Sequence, residues 1–272
     1  MKRAASRRIL LLAPHQDDEC LQTAGVIYQA ARSGVHISVC FATNGEYVSE
    51  ADAAVRAAES IGVLSSLGVQ PEQIIFLGYP DTGMPYGESF LRRLYDGFSV
   101  SASRWGRTET WRPDGQDFRF TRSGHHSAYT AADVLRDLTD VLELVKPDTV
   151  YVTAPGDCHG DHDALGRFTT RAVVAMAEPP ALYYYLIHAD RTDTWPERDI
   201  QHFSLPPMAA GHPLLQCAAE RRPLPDGFSS AEKCELLQRY VSQVPAAYNG
   251  YLLAFAKNDE LVFRVERLPS WA

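Results

Sequence analysis

The 272-residue chain is poor in several features that would have pointed elsewhere. Its five cysteines, Cys20, Cys40, Cys158, Cys217 and Cys234, are scattered, odd in number and form no CxxC pair. That pattern argues against a disulfide framework, and a reducing, cytoplasmic setting is expected. No stretch approaches the roughly 18 apolar residues of a membrane span. The opening MKRAASRRILLLAP places basic residues before an apolar run. Ile9 to Pro14 is nevertheless too short for a signal-peptide core and runs into charged residues, so it reads as a strand. Positive charge is also scarce: 26 Lys and Arg face 34 Asp and Glu, a formal net charge of -8. That balance offers no footing for nucleic acid or an anionic membrane. Internal repeats and low-complexity tracts are absent, and the first strand-to-helix turn holds no GxGxxG for a dinucleotide.

What is present is ordinary globular material. Apolar residues make up 45% and charged residues 22%, enough for one core and a single α/β domain over 1–272. Arg8 to Pro14 is a continuous apolar run, the pattern of a strand buried on both faces. Helical periodicity follows over Cys20 to Arg32, then alternation from Val35 to Phe41, an alanine-rich helix over Ala51 to Leu67 and a short strand at Ile74 to Leu77. A second series runs helix Ala131 to Val145, strand Thr149 to Thr153, helix Asp163 to Ala177 and strand Ala181 to Ile187. Near the end, Glu232 to Val241 is expected as helix, Leu261 to Leu268 as an edge strand, and Tyr251 to Ala256 as a helical turn or half a hairpin. Strands alternating with helices imply a Rossmann-like, mostly parallel sheet with helices on both faces. Two stretches, about 84–130 and 188–230, break the rhythm and are too long for plain connections. Each is expected as a substrate loop or a small added subdomain.

Chemistry concentrates in two places. His15-Gln16-Asp17-Asp18-Glu19 sets four ionisable side chains in five positions directly after the first strand. His159-Gly160-Asp161-His162 sits between a strand and a helix. In an open parallel sheet, ligands bind beyond the carboxyl ends of the strands, and both clusters lie at such ends. Together they offer histidines and carboxylates around one crevice, which is what a hydrolytic zinc site needs: three N or O ligands and one open position. A tetrad such as HGDH could also be no more than a helix start capped by Asp161 or Asp163.

These motifs resemble those of the N-acetylglucosaminyl-phosphatidylinositol de-N-acetylase-like (PIG-L/LmbE-like) zinc deacetylases. That family carries a His-Pro-Asp-Asp-Glu motif after its first strand and a later His-x-Asp-His. Thr43-Asn44-Gly45-Glu46, Arg56 and Glu59, Leu77-Gly78-Tyr79-Pro80-Asp81 and Tyr240-Val241-Ser242-Gln243 fall in the matching order. The resemblance covers about residues 7–83, 131–187 and 231–245; Gln16 departs from it, standing where proline is usual. It implies His15, Asp18 and His162 as metal ligands, for Zn2+ or alternatively Fe2+. It implies Asp17 as general base, and His159 as the group that stabilises the oxyanion or protonates the leaving amine. Asp161 would orient His159, Arg56 and Asp81 would hold sugar hydroxyls, and Glu19 would cap the helix or brace the ligands. The implied reaction is hydrolysis of the acetamide of an N-acetylated amino sugar, in a small-molecule or glycoconjugate substrate. A zinc O-acetyl esterase would use the same machinery, and a sugar-binding protein without catalysis would have been marked by a lost ligand. Non-haem iron oxygenases share the two-histidine, one-carboxylate set but not an α/β scaffold.

Other residues carry weaker signals. Trp105 and Trp111 could stack on sugar rings or pack the first insertion. His125 and His126 read as surface or substrate-loop residues, and His188, His202 and His212 are not expected to be ligands. Tyr183 to Tyr185 reads as strand and Cys158 as a small buried residue. The aglycone and the oligomeric state are not legible in the sequence.

Overall fold

A computed structural model describes residues 7–83, 86–244 and 250–269. The expected beginning of the first insertion at Met84, the first six residues of the basic opening, and Pro245 at the end of the resemblance lie outside them. Seven strands, β1 (Arg8–Ala13), β2 (His36–Thr43), β3 (Ile74–Tyr79), β4 (Thr149–Thr153), β5 (Ala181–Tyr185), β6 (Ala218–Pro223) and β7 (Asp259–Arg264), form one sheet in the order β3-β2-β1-β4-β5-β7-β6. The first five strands are parallel neighbours, and β7 pairs antiparallel with both β5 and β6. The helices are α1 (Asp18–Leu21), α2 (Ala24–Arg32), α3 (Glu50–Ser66), α4 (Phe90–Tyr95), α5 (Phe118–Ser123), α6 (Ala131–Val145), α7 (Gly160–Val174) and α8 (Ser230–Leu237).

The α/β expectation holds, and its physical basis is visible in the strands. Leu10 to Ala13 of β1 are fully enclosed, as a central parallel strand covered on both faces requires. The chain runs outward from β1 through β2 to β3, then returns to place β4 on the other side of β1. That reversal opens a crevice beyond the ends of β1 and β4, where both motifs emerge. Local signals set the helix starts. Ser49 accepts from the Asp52 N–H, Thr130 from that of Asp133, and Ser229 forms a capping box with Glu232. No helix among the described residues is long and apolar enough to cross a membrane.

Three expectations need correction. The helix expected over Cys20 to Arg32 is split into α1 and α2 at Gln22 and Thr23. The Thr23 hydroxyl bonds back to the Glu19 carbonyl (2.5 Å). The Gln22 amide bonds the Leu186 carbonyl (3.3 Å), and its oxygen accepts from the Leu261 N–H (3.0 Å). The segment expected as an edge strand at Leu261 to Leu268 instead supplies β7, an interior strand with Asp259 to Phe263 all buried. The edge is β6, whose alternating burial and Glu-Arg-Arg-Pro sequence suit an exposed border. It lies inside the stretch taken as the second insertion. Residues 252–255 form a short 3-10 turn, resolving the ambiguity at Tyr251 to Ala256.

Candidate active site

His15, Asp17 and Asp18 follow β1, and Asp157, His159, Asp161 and His162 follow β4. α7 begins at Gly160, with His159 rather than either aspartate as its N-cap. The His159 ring accepts, at Nδ1, the backbone N–H of Asp161 (3.2 Å). A backbone nitrogen only donates, so Nδ1 must be an acceptor and the ring proton sits on Nε2. Gly160 has a packing reason. A Cβ there would lie 2.3 Å from the Tyr86 carbonyl oxygen, where the first insertion crosses the start of α7.

The two clusters meet. His15 Nδ1, Asp18 Oδ2 and His162 Nε2 form a triangle with sides of 3.2, 3.2 and 3.3 Å. Donors held roughly 2.0–2.2 Å from a tetrahedral ion lie about 3.3–3.6 Å apart, so the triangle is close to the size such an ion needs. The outward nitrogens are backed by carboxylates. Asp161 Oδ2 stands 3.4 Å from His15 Nε2, and Asp157 Oδ2 stands 3.3 Å from His162 Nδ1. Backing of this kind fixes the tautomer that points a lone pair at a cation. Two other groupings, His15 with His159 and His162, and His15 with Asp81 and Asp161, place ligand atoms within 4.8 Å of one another. The set containing Asp18 is tighter, and in it the opposite ring nitrogens of both histidines are occupied by carboxylates.

Asp161 was expected behind His159. Its carboxylate faces His15 instead and accepts the Leu91 N–H (2.7 Å), and only its backbone touches His159. The role falls there because α7 turns the side chain toward β1. Asp157 escaped the sequence reading. It is fully buried and accepts from the N–H groups of His159 (2.8 Å), Ile187 (3.1 Å) and His188 (3.2 Å) as well as facing His162. The available signal was an acid two residues before a histidine at a buried strand's end. Glu19, expected to cap the helix or brace the ligands, accepts the Asp17 N–H (2.8 Å) and the Tyr240 hydroxyl (2.6 Å). Gln16, at the departure from the family pattern, donates to the Thr43 carbonyl (2.7 Å).

Asp17 sits at φ 138, a backbone conformation costly for a residue with a Cβ, and such strain gathers at functional sites. Burial pushes its carboxyl up to about 7 against the opposing pull of Arg56. Burial also opposes ionisation of Asp18, but His162 and His15 hold that carboxyl well below the usual range. For His162 burial works downward, and Asp18 and Asp157 outweigh it, raising the ring to about 9. Burial, then the neighbouring His15 and His162, keep His159 well below its ordinary value, hence neutral. Arg56 pairs with Asp81 (3.2 Å), and Asp81 also accepts the Gly83 N–H (2.8 Å). These residues line a cavity of about 940 Å³ whose far wall is the stretch following His188.

The remaining aromatic and histidine candidates lie elsewhere. Trp111 is buried beneath Arg107, and Trp105 donates to the Glu46 carbonyl (2.9 Å); neither lines the cavity. His126 pairs with Asp117, His202 with Asp259, and His212 with the Gly156 carbonyl. His188 does reach the cavity. Cys158, expected buried, is partly exposed.

Fold and site together define an α/β protein in which two imidazoles and a carboxylate converge beyond the switch point of its sheet. The family model described as GlcNAc-PI de-N-acetylase (PIG-L) matches residues 10–173, more than half the chain, and the protein belongs to that family. A curated relative from Actinosynnema mirum, 1D-myo-inositol 2-acetamido-2-deoxy-alpha-D-glucopyranoside deacetylase, is 27% identical over 201 residues, covering 71% of this chain. The match spans 64% of that relative's length. Among solved structures, the zinc-inhibited form of a teicoplanin deacetylase aligns with TM-score 0.61 at 17% identity, covering 94% of this chain and 97% of the other. N,N'-diacetylchitobiose deacetylase from Pyrococcus horikoshii aligns with TM-score 0.55 at 17% identity, covering 91% and 76%. At such identities the structural likeness concerns the fold.

Proposed function

We propose that the protein is a zinc-dependent N-deacetylase that hydrolyses the acetamide of an N-acetylated amino sugar, of the N-acetylglucosamine type, to a free amine and acetate. The observation that carries this reading is the closed triangle of His15, Asp18 and His162, each histidine backed by a buried carboxylate, with Asp17 and His159 beside it in one cavity. Family membership and the deacetylase names of the relatives support the same reaction.

His15, Asp18 and His162 would hold the ion, whose donor set of two imidazoles and one carboxylate suits Zn2+ and also Fe2+. When bound, it supplies Lewis-acid polarisation of the carbonyl and activation of water. Asp17 is the adjacent carboxylate left free of the triangle, and as general base it takes the proton of the attacking water. Its strained backbone, fixed by Glu19 at the N–H, aims it independently of Asp18. His159 presents an Nε2–H, because Nδ1 is occupied by the Asp161 N–H, and so donates to the oxygen that gains charge as the carbonyl becomes tetrahedral. The same occupancy favours oxyanion stabilisation over proton delivery for His159. The carbon–nitrogen bond then breaks, and Asp17, now protonated, is placed to return a proton to the departing amine. Arg56 and Asp81, paired at the cavity wall, orient sugar hydroxyls.

Acetate release from N-acetylglucosamine glycosides, measured with and without a chelator beside metal content, tests the reading. The expected result is about one metal per chain and release that the chelator abolishes. Asp17→Ala should retain metal and lose roughly 10²–10⁴ in turnover, whereas His162→Ala should lose the metal. Undiminished turnover in the first variant or full metal content in the second would overturn the assignments.

A further inference from the structure

We infer that His188 is the specificity-determining residue of an aglycone subsite, hydrogen-bonding a hydroxyl of whatever is attached to the amino sugar. This inference rests on the deacetylase reading. The cavity is lined by two groups of residues: the triangle with Asp17, His159, Arg56 and Asp81, and a wall of Thr192, Asp193, Thr194, Glu197, Arg198 and Asp199. At about 940 Å³ it lies near the upper end of small-molecule sites, with room for a second moiety beside the amino sugar.

His188 lines the same cavity and touches both groups, lying near His159 and His162 and bonding Asp193. Its ring centre is 5.1 Å from that of His162 and 5.7 Å from that of His159. The ring is held on several sides. It stacks on Tyr251 (5.4 Å, 19°), and Nδ1 lies 3.0 Å from Asp193 Oδ1. Its backbone N–H goes to Asp157 (3.2 Å), and its carbonyl accepts the Cys158 N–H (2.8 Å). Tyr251 is itself fixed by its hydroxyl, which donates to the Ile187 carbonyl (2.6 Å). Asp193 adopts φ 51, a left-handed conformation uncommon for a residue with a side chain. The strain is local and its product is the oriented imidazole.

With Nδ1 committed to Asp193, Nε2 is the nitrogen left for a ligand, and it has no partner among the described residues. It is not one of the three converging donors, which are His15 Nδ1, Asp18 Oδ2 and His162 Nε2. With Nδ1–H donating to the Asp193 carboxylate, Nε2 carries the lone pair, and this rigid imidazole accepts from a hydroxyl without losing side-chain freedom on binding. The wall beyond it carries Asp193, Glu197 and Asp199 against Arg198, so a polyhydroxylated, uncharged aglycone is accommodated and an anionic one is repelled.

The test uses the zinc-loaded protein with three substrates: the methyl glycoside of N-acetylglucosamine, N,N'-diacetylchitobiose as a polyhydroxylated aglycone, and N-acetylglucosamine 1-phosphate as an anionic one. The wild type should prefer the disaccharide over the methyl glycoside at least tenfold in kcat/KM and should disfavour the phosphate. In His188→Ala the disaccharide preference should collapse to within threefold through KM, with zinc content still one per chain. Calorimetric affinity for the deacetylated disaccharide should fall at least tenfold. His188→Gln should recover part of the preference. Asp193→Gly, which relieves the left-handed backbone while releasing the ring, should reproduce the KM effect in a folded protein. An equal loss of kcat on all three substrates, or a preference unmoved by residue 188, would overturn the inference while leaving the deacetylase reading intact. Absence of acetate release from every glycoside by the wild type would overturn both.

Discussion

The two long stretches that interrupt the α/β rhythm look alike in sequence, yet the structure uses them in opposite ways. The first is a packed layer. Phe90, Leu91, Leu94, Trp111, Phe118 and Tyr129 are buried, α4 lies along α7, and Asp117 and Asp137 gather hydrogen bonds inside it. It reaches the candidate site indirectly, through the Leu91 N–H on Asp161 and the Tyr86 carbonyl over Gly160. The second stretch splits: its front half walls the cavity with polar and charged side chains, and its rear half adds β6 to the sheet. One stretch therefore braces the candidate site from behind, and the other lines its cavity. The second stretch is anchored in the core as well, by Trp195 and Phe203, but the polar side chains between those anchors face the cavity.

Substitutions can break or sharpen that contrast. The largest effect is expected in the region of the first stretch. Asp137, fully buried on α6, accepts from the Tyr79 hydroxyl (2.8 Å), the Ser127 hydroxyl (2.7 Å) and the Arg119 guanidinium (2.7 Å). Asp137→Ala should cost about 2–4 kcal/mol by leaving the Tyr79 and Ser127 hydroxyls without their shared acceptor and the Arg119 guanidinium with Asp140 alone (2.7 Å). Urea unfolding measures this, and a loss below about 1 kcal/mol would mean that the layer is not structural.

A smaller effect with a definite pH sign is expected at Glu46, next to the first stretch. Burial raises its carboxyl to about 8 from an ordinary 4.5, with Trp111 pulling the other way. Among the described residues its side-chain oxygens have no hydrogen-bond partner within normal geometry. The folded state therefore keeps a proton that the unfolded chain has lost between about pH 4.5 and 8, and this group's contribution to stability falls as pH rises through that window. Glu46→Gln escapes the fall. It should unfold like the wild type near pH 4 and be more stable by about 2–4 kcal/mol at pH 8.5. Parallel stability curves across that range would remove the explanation.

The smallest stability effect belongs to the second stretch. Arg198→Ala, at the cavity wall, should leave unfolding within about 0.5 kcal/mol of the wild type while changing KM for extended glycosides several-fold. A large stability loss there would erase the distinction between the two stretches.

Much of this was legible beforehand because it depends on local pattern. Apolar runs gave the parallel strands, and the two charged clusters at strand ends gave the residues that converge. His15 and Asp18 are three residues apart, so one turn of chain brings them together wherever the strand ends. Gln22 shows where local pattern fails: its helical periodicity is sound, but its amide is claimed by Leu186 and Leu261, and the helix breaks. β7 fails for the same reason, since alternation cannot tell an edge strand from one whose open side an earlier strand, here β6, covers.

The sequence by itself determined which side chains stand at the ends of β1 and β4, because connectivity and the right-handed crossover leave few other placements. Only the tertiary structure decided what stands behind them. Asp161 backs His15 rather than His159, Asp157 joins His162 to the strand that leads to His188, and Leu91 donates to Asp161 from 70 residues away. Those pairings are set by how helices and insertions pack across the sheet, and no spacing along the chain encodes them.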